Sequence, residues 1–235
     1  MIYQTLAPFY DLLVKDDEAT QMWVDFTQKY VKGKKLLELA CGSGEITIAL
    51  SKLGYEIKGT DLSQEMIDEA MSKEGSEAIH WQAMDMLDLD EVKAYDSILC
   101  YCDSLNYIVG DEQIKTVFKK VYNALNDDGM FLFDIHSLDR EVEFADEYIE
   151  EGFLDEVAYQ WTIRHEDHYL YHSFTFYDAL GNLEQEQHIQ KVHNPLWVKS
   201  ELEALGFTVE MFTDFDLEGI QEGEKIFYVA KKVGK

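Results

Sequence analysis

One short stretch of the chain gathers residues able to hold a nucleoside. Glu38 stands at the end of an apolar run, and Gly42 and Gly44 follow it closely. Glycines between a strand and a helix let the backbone turn sharply and let a ligand lie against it. Asp61 closes the next apolar run, seventeen residues beyond Gly44. From that position a carboxylate reaches across the crevice and accepts two hydrogen bonds from a ribose diol. The pattern predicts a nucleoside ligand.

The sign of Glu38 bears on which nucleoside. Gly42 and Gly44 supply two glycines of a dinucleotide fingerprint, but Thr47 occupies the third position. A pyrophosphate at the following helix terminus is repelled by the Glu38 carboxylate. A ligand carrying an ammonium and a sulfonium, as S-adenosylmethionine does, is not. No Gly-Lys-Ser/Thr follows the glycines, so a P-loop is excluded. A nicotinamide-dependent oxidoreductase keeps Asp61 on the ribose but leaves Glu38 and the missing third glycine unexplained. A non-catalytic adenosyl-binding module is the third reading.

The elements that position these residues read as an α/β fold. Residues 35–39, 55–60, 79–83, 95–101 and 130–135 are short apolar runs expected as strands. Helical spacing of Ile46, Ala49, Leu50 and Leu53 predicts a helix over 45–53, with Gly54 at its C-terminal end. Ser63 caps a helix to about residue 73, and Asp111 is expected to cap another to residue 125. Residues 126–129 read as a turn. The alternation of strand and helix implies a mostly parallel sheet with helices on both faces. After residue 140 the texture changes. Residues 157–163, 169–177 and 183–192 are rich in aromatic and β-branched side chains, with turn-like separators at 165–168 and 178–182. They predict an inserted antiparallel unit. Asn194 and Pro195 then start a helix through residue 205, Gly206 ends it, and strands at 207–213 and 226–231 close the sheet. The acidic stretch 214–224 is expected as a loop.

Composition narrows the partners. The 235 residues contain 47 Asp and Glu against 20 Lys and Arg, a formal charge of −27 at pH 7. Such a surface repels phosphate backbones and anionic membranes, which argues against nucleic acid as a partner. No apolar stretch approaches the roughly 18 residues of a membrane span. Three cysteines make no disulfide framework and supply no zinc-ligand spacing. Together with the absence of a signal-peptide pattern at the N-terminus, they predict a cytoplasmic protein.

With these residues in view, the chain resembles the class I S-adenosylmethionine-dependent methyltransferases over most of residues 1–135. Their first motif is similar to Glu38-Leu39-Ala40-Cys41-Gly42-Ser43-Gly44, with Ala40 where many members have Gly. Gly59-Thr60-Asp61-Leu62-Ser63, with Met66 beyond, matches the ribose motif. Gln82-Ala83-Met84-Asp85-Met86 matches the adenine motif. Residues 95–100, ending at Cys100, and 128–134 match the two motifs that follow. Residues 3–13, from Tyr3 through Tyr10 and Asp11, resemble the opening of the small-molecule branch, which includes amino-sugar N-methyltransferases and glycine N-methyltransferase-like enzymes.

The resemblance implies a Rossmann-like, seven-stranded, mostly parallel sheet with an antiparallel cover inserted after strand five. Residues 1–139 and 194–235 would form the cofactor-binding domain and 140–193 the substrate cover. It implies S-adenosyl-L-methionine as cofactor, S-adenosyl-L-homocysteine as product, and a small-molecule acceptor; a homodimer is left open. Glu38 would hold the amino-acid end of the cofactor indirectly, through water or the backbone of Gly42 and Gly44, with Ala40 a further cofactor contact. Asp61, Leu62 and Met66 would surround the ribose, and Asp85 and Met86 the adenine. Tyr10 and Cys100 complete the expected cofactor contacts.

The acceptor site is less sharply drawn. A neutral amine needs little help from a base; a hydroxyl needs one, and His136, just past the fifth strand, is the candidate. His165, His168 and His172 fall in or near one hairpin without a fixed ligand spacing, so no metal is expected. Trp161, Phe174 and their neighbours read first as the core of the antiparallel unit. Some of them would suit the wall of a pocket for a cationic or amine substrate.

Overall fold

A computed structural model describes residues 6–90, 92–177 and 180–234. Tyr3, at the start of the N-terminal motif, and Asp178 and Ala179, in the second separator, lie outside the described residues. The chain opens with two helices, α1 (Ala7–Val14) and α2 (Asp17–Tyr30). Asp16 caps α2 by accepting from the backbone N–H groups of Glu18 and Ala19. Alternating units follow: β1 (Lys35–Leu39), α3 (Glu45–Lys52), β2 (Glu56–Asp61), α4 (Gln64–Ser72), β3 (His80–Ala83) and β4 (Tyr95–Cys100). A 3-10 turn at Ser104–Tyr107 precedes α5 (Asp111–Ala124), β5 (Leu125–His136) and the short α6 (Asp139–Glu143). Four strands, β6 (Tyr148–Leu154), β7 (Val157–Glu166), β8 (Tyr169–Tyr177) and β9 (Leu183–Lys191), make a separate antiparallel sheet. The main sheet is completed by α7 (Pro195–Leu205), β10 (Phe207–Thr213), β11 (Leu217–Glu218) and β12 (Lys225–Lys232).

The main sheet runs in the order β11-β10-β12-β5-β4-β1-β2-β3. The five strands from β3 to β5 are parallel to one another, and β12 is antiparallel to β5. Seven of the strands are those expected; the eighth, β11, is a two-residue edge inside the acidic stretch. Alternation along the strands builds a core on each face. Leu37, Ile98, Phe131 and Phe133 pack under α5 and α7. Leu36, Leu99, Met130 and Leu132 pack with residues of α2 and α3.

Local differences from the sequence reading have simple causes. Asp111 is not the cap of α5; Gly110 occupies that position, and Asp111 sits in the first turn, where its charge favours the helix dipole. The expected turn at 126–129 lies inside β5. Tyr95 pairs with Leu125 and Ser97 with Met130, so the intervening residues bulge out, with Asp128 left-handed at φ 61°. Strand β6 was not anticipated, because its acidic Tyr-Ile-Glu-Glu-Gly pattern lacks a clean apolar alternation and it lies at an edge of its sheet. Among the described residues no helix is long and apolar enough to cross a membrane.

Side-chain contacts tie the antiparallel sheet to the main one. Buried Asn106 of the 3-10 turn donates to the Lys191 carbonyl at 2.6 Å and accepts from the His136 N–H at 3.1 Å. Helix α1 bridges the gap from the other side. Phe9 stacks on Phe176 at 5.1 Å, and the Leu6 N–H donates to Glu186 at 2.9 Å.

Candidate active site

From β1 the chain winds outward through β2 to β3, then crosses back to β4 on the other side of β1, so the sheet has its switch point between β1 and β4. Open α/β sheets bind ligands outside the carboxyl ends of strands at such a point. A cavity of about 680 Å³ opens there, between the ends of β1, β2 and β4 below, α1 at the side and the antiparallel sheet above. That volume lies within the range of small-ligand clefts.

Its floor is the glycine bend. Three residues of the loop between β1 and α3 are left-handed: Ala40 at φ 51°, Gly42 at 54° and Gly44 at 81°. A Cβ at Gly42 would stand 3.4 Å from Met66 Cε, on the side where Tyr10 also approaches. The loop is held by Asp61 at the end of β2. One of its oxygens accepts from the Gly42 N–H and the other from the Ser63 N–H, both at 2.9 Å. Each oxygen keeps a lone pair for a diol. Burial raises the Asp61 pKa, and the backbone hydrogen bonds oppose that rise.

Glu38 is buried beneath the bend and accepts a hydrogen bond from Thr47 Oγ1. Thr47, the residue in the third-glycine position, is thus the partner of the acid. Burial pushes Glu38 up to about 7, with the Thr47 hydrogen bond pulling the other way. Asp85 follows β3 and turns its carboxylate onto the Leu87 N–H at 2.8 Å. Tyr10, Glu38, Ala40, Gly42, Asp61, Leu62, Met66, Asp85 and Met86 all line the cavity.

Three residues expected at the site stand elsewhere. Cys100 is fully buried on the α5 face of β4, with Leu37 and Phe131, and does not line the cavity. The next residues, Tyr101 and Cys102, do. Gly44 shapes the loop without lining it; a Cβ there would meet the Trp81 ring at 2.6 Å. His136 is buried behind the wall, its Nε2 donating to Gln190 Oε1 at 2.9 Å. Burial lowers its pKa to about 4, which makes it a weak base in addition to an inaccessible one. The histidines of the hairpin separate. His165 and His168 lie at its exposed end, His168 against Glu141, whereas His172 lines the cavity. Among the described residues no group of His, Cys, Asp or Glu is placed to hold a metal ion.

A second acid organises the end of β4. Asp134 is fully buried at the end of β5 and accepts from the Trp23 indole at 2.8 Å and from the N–H groups of Cys102 and Asp103 at 3.0 and 2.6 Å. These bonds hold Cys102 and Asp103 in consecutive left-handed conformations. Burial raises Asp134 to about 7 and lowers the adjacent Lys225, which pairs with Asp103, to about 8. The roof is aromatic. Trp161 stacks on Phe174 at 5.2 Å and 22° and on His172 at 6.0 Å and 27°. His188 and Gln190 of β9 complete it. The sequence carried a signal for the roof: residues two apart on one strand share a face, which places His172 with Phe174 and Glu186 with His188 and Gln190.

A model of the methyltransferase domain matches residues 36–129. A provisionally named methyltransferase of Geobacillus sp. (strain WCH70) is 31% identical over 99% of this chain and 100% of its own. A solved S-adenosylmethionine-dependent methyltransferase from Clostridium acetobutylicum ATCC 824 shares 27% identity and superposes with a TM-score of 0.83 over 99% of both chains. The chain belongs to the S-adenosylmethionine-dependent methyltransferase family. The sugar N-methyltransferase KedS8 of Streptoalloteichus sp. ATCC 53650 has the same fold at 19% identity, with a TM-score of 0.79 over 100% of this chain and 95% of its own. The cofactor of this methyltransferase is S-adenosylmethionine, and the residues present fit it. A bend with left-handed glycines at Gly42 and Gly44, an acid with lone pairs to spare at the end of β2 and a buried acid beneath them suit a cationic adenosyl compound.

Proposed function

We propose that this methyltransferase modifies an amine nitrogen of a small-molecule acceptor held between the cofactor loop and the antiparallel sheet of residues 140–193. The observation that carries the reading is the aromatic roof. Trp161, Phe174 and Tyr107 face a cavity whose floor is acidic, a setting that favours a positively charged or amine-bearing guest. The formal charge of −27 supports a small acceptor over a nucleic acid. The fold shared with KedS8 is in keeping with it.

On this reading Asp61 takes the ribose diol, Asp85 the adenine amine with Met86 against the ring, and Glu38 supplies negative charge on the amino-acid side. Tyr10 and Met66 close over the loop. The cofactor, when bound, supplies a methyl on a sulfonium, already a good leaving group. The protein's part is therefore to position the acceptor and exclude water. The three free thiols fit a reducing compartment and support a cytoplasmic site of action.

Methyl-tritiated S-adenosylmethionine and a panel of amino sugars, glycine, ethanolamine and catechols test the proposal. Label is expected in N-methyl products identified by mass spectrometry. Label confined to the catechol oxygens would overturn the amine assignment.

A further inference from the structure

Three side chains form a hydrogen-bonded line that runs from the cavity wall into the protein and that the cofactor site does not use. Tyr107, in the 3-10 turn, meets His188 Nδ1 through its hydroxyl at 3.1 Å. His188 Nε2 meets Glu186 Oε1 at 2.7 Å. The other Glu186 oxygen accepts from the Leu6 N–H at 2.9 Å. His188 and Glu186 are both buried. Tyr107 and His188 line the cavity, and Glu186 does not. The chemistry of the acceptors sets the direction of the line. A carboxylate only accepts, so the proton between His188 and Glu186 sits on Nε2; with the ring neutral, Nδ1 then accepts and the Tyr107 hydroxyl donates to it. The Phe174 ring packs against the imidazole in a T-shaped contact at 5.5 Å.

We propose that Tyr107, His188 and Glu186 are a proton relay that takes a proton from the acceptor before methylation. The inference rests on the amine reading. An alkyl ammonium resembles that of lysine, so at pH 7 on the order of one molecule in a thousand carries the free lone pair needed for attack. In the relay the acceptor N–H bond breaks and leaves its electron pair on nitrogen. The proton goes to the Tyr107 oxygen as the Tyr107 proton passes to His188 Nδ1. The resulting imidazolium faces the Glu186 carboxylate. Atoms and charge balance without another reactant. Tyr107 is the group at the cavity wall; His188 and Glu186 act through it. The titratable groups around His188 are Glu186 on its own strand, His172 opposite it on β8, Tyr107, and Tyr10 of α1 beyond Tyr107.

The first test needs no acceptor. The full chain, labelled with 15N-histidine and saturated with S-adenosylhomocysteine, is expected to show His188 as the Nε2–H tautomer. The Nδ1 resonance should move in Tyr107→Phe, and the tautomer should be disturbed in Glu186→Gln. An Nδ1–H tautomer, or a His188 signal unmoved by Tyr107→Phe, would overturn the relay. The second test uses the amine of the panel that turns over best. Tyr107→Phe is expected to lower kcat at pH 7 by about 10²- to 10⁴-fold, and the defect should shrink toward pH 10, where solvent deprotonates the acceptor. A defect of equal size at every pH, or none, would remove the relay and leave the amine reading standing. Turnover of hydroxyl acceptors alone, still dependent on Tyr107, would remove the amine reading and leave the relay.

Discussion

Glu38→Gln separates the charge of the buried acid from its shape. The amide keeps an oxygen for Thr47 Oγ1 and cannot ionise. In the ligand-free protein burial raises Glu38 from an ordinary 4.5 to about 7. That gap corresponds to roughly 3 kcal/mol against the charged form. The folded chain thus holds this proton more tightly than the unfolded chain does. Its effect is absent below pH 4.5, and stability is lost as the pH rises from there to about 7. Glu38→Gln is expected to be more stable than the parent by roughly 3 kcal/mol at pH 8, about 6–12 °C in Tm, and nearly equal to it at pH 4. Other titrating groups are the same in both proteins and cancel in the comparison. Binding should run the opposite way, with S-adenosylmethionine held roughly tenfold or more weakly once the charge is gone. Calorimetric melts at the two pH values and titrations with the cofactor measure both effects. Equal melting at pH 8, or undiminished affinity, would refute the assignment of Glu38 as the buried acid that meets the cofactor's positive charge.

Asp61→Ala leaves the Gly42 and Ser63 N–H groups without their acceptor and removes the diol partner. Titration should find S-adenosylhomocysteine bound at least about 30-fold more weakly, from roughly 2 kcal/mol or more of lost hydrogen bonding. Ala40 is left-handed at φ 51°, so a β-branched side chain is strained there. Ala40→Val should melt lower, by roughly 4–8 °C for about 2 kcal/mol, while Ala40→Gly stays within about 1 kcal/mol of the parent. Burial lowers His136 from an ordinary 6.5 to about 4, so the unfolded chain binds that proton more readily and stability falls as the pH drops through this window. His136→Gln should lose packing at pH 7, and its deficit should narrow by up to roughly 3 kcal/mol by pH 4, read from melts at both pH values.

The parallel half of the sheet was legible because its central strands β1, β4 and β5 are buried along most of their length and carry near-continuous apolar runs, and because Ser63, Asn194 and Gly206 mark helix ends through their own chemistry. The cofactor floor was legible for a related reason. Glu38, Gly42 and Asp61 sit at strand ends, where position along the chain nearly fixes position in space. The acceptor side was not. Tyr107, His188 and Glu186 come from a 3-10 turn and a strand roughly eighty residues apart, and their meeting depends on how the antiparallel sheet sits over the main one. His136 misled for the same reason. Its place at the carboxyl edge of the sheet was read correctly, since it is the last residue of β5, but its ring is buried and its Nε2 is bonded to Gln190, from the distant β9. Cys100 shows the limit of a motif by itself: alternation turns it to the α5 core, while Tyr101 and Cys102 line the cavity.

The central physical claim is that a buried acid beneath a glycine bend accepts a positively charged adenosyl compound and rejects a diphosphate. Calorimetric titration of the full chain with S-adenosylmethionine and with NAD, under one buffer, tests it most directly. The account predicts saturable binding of S-adenosylmethionine and no heat of binding with NAD. Tight binding of NAD, with none of S-adenosylmethionine, would contradict it.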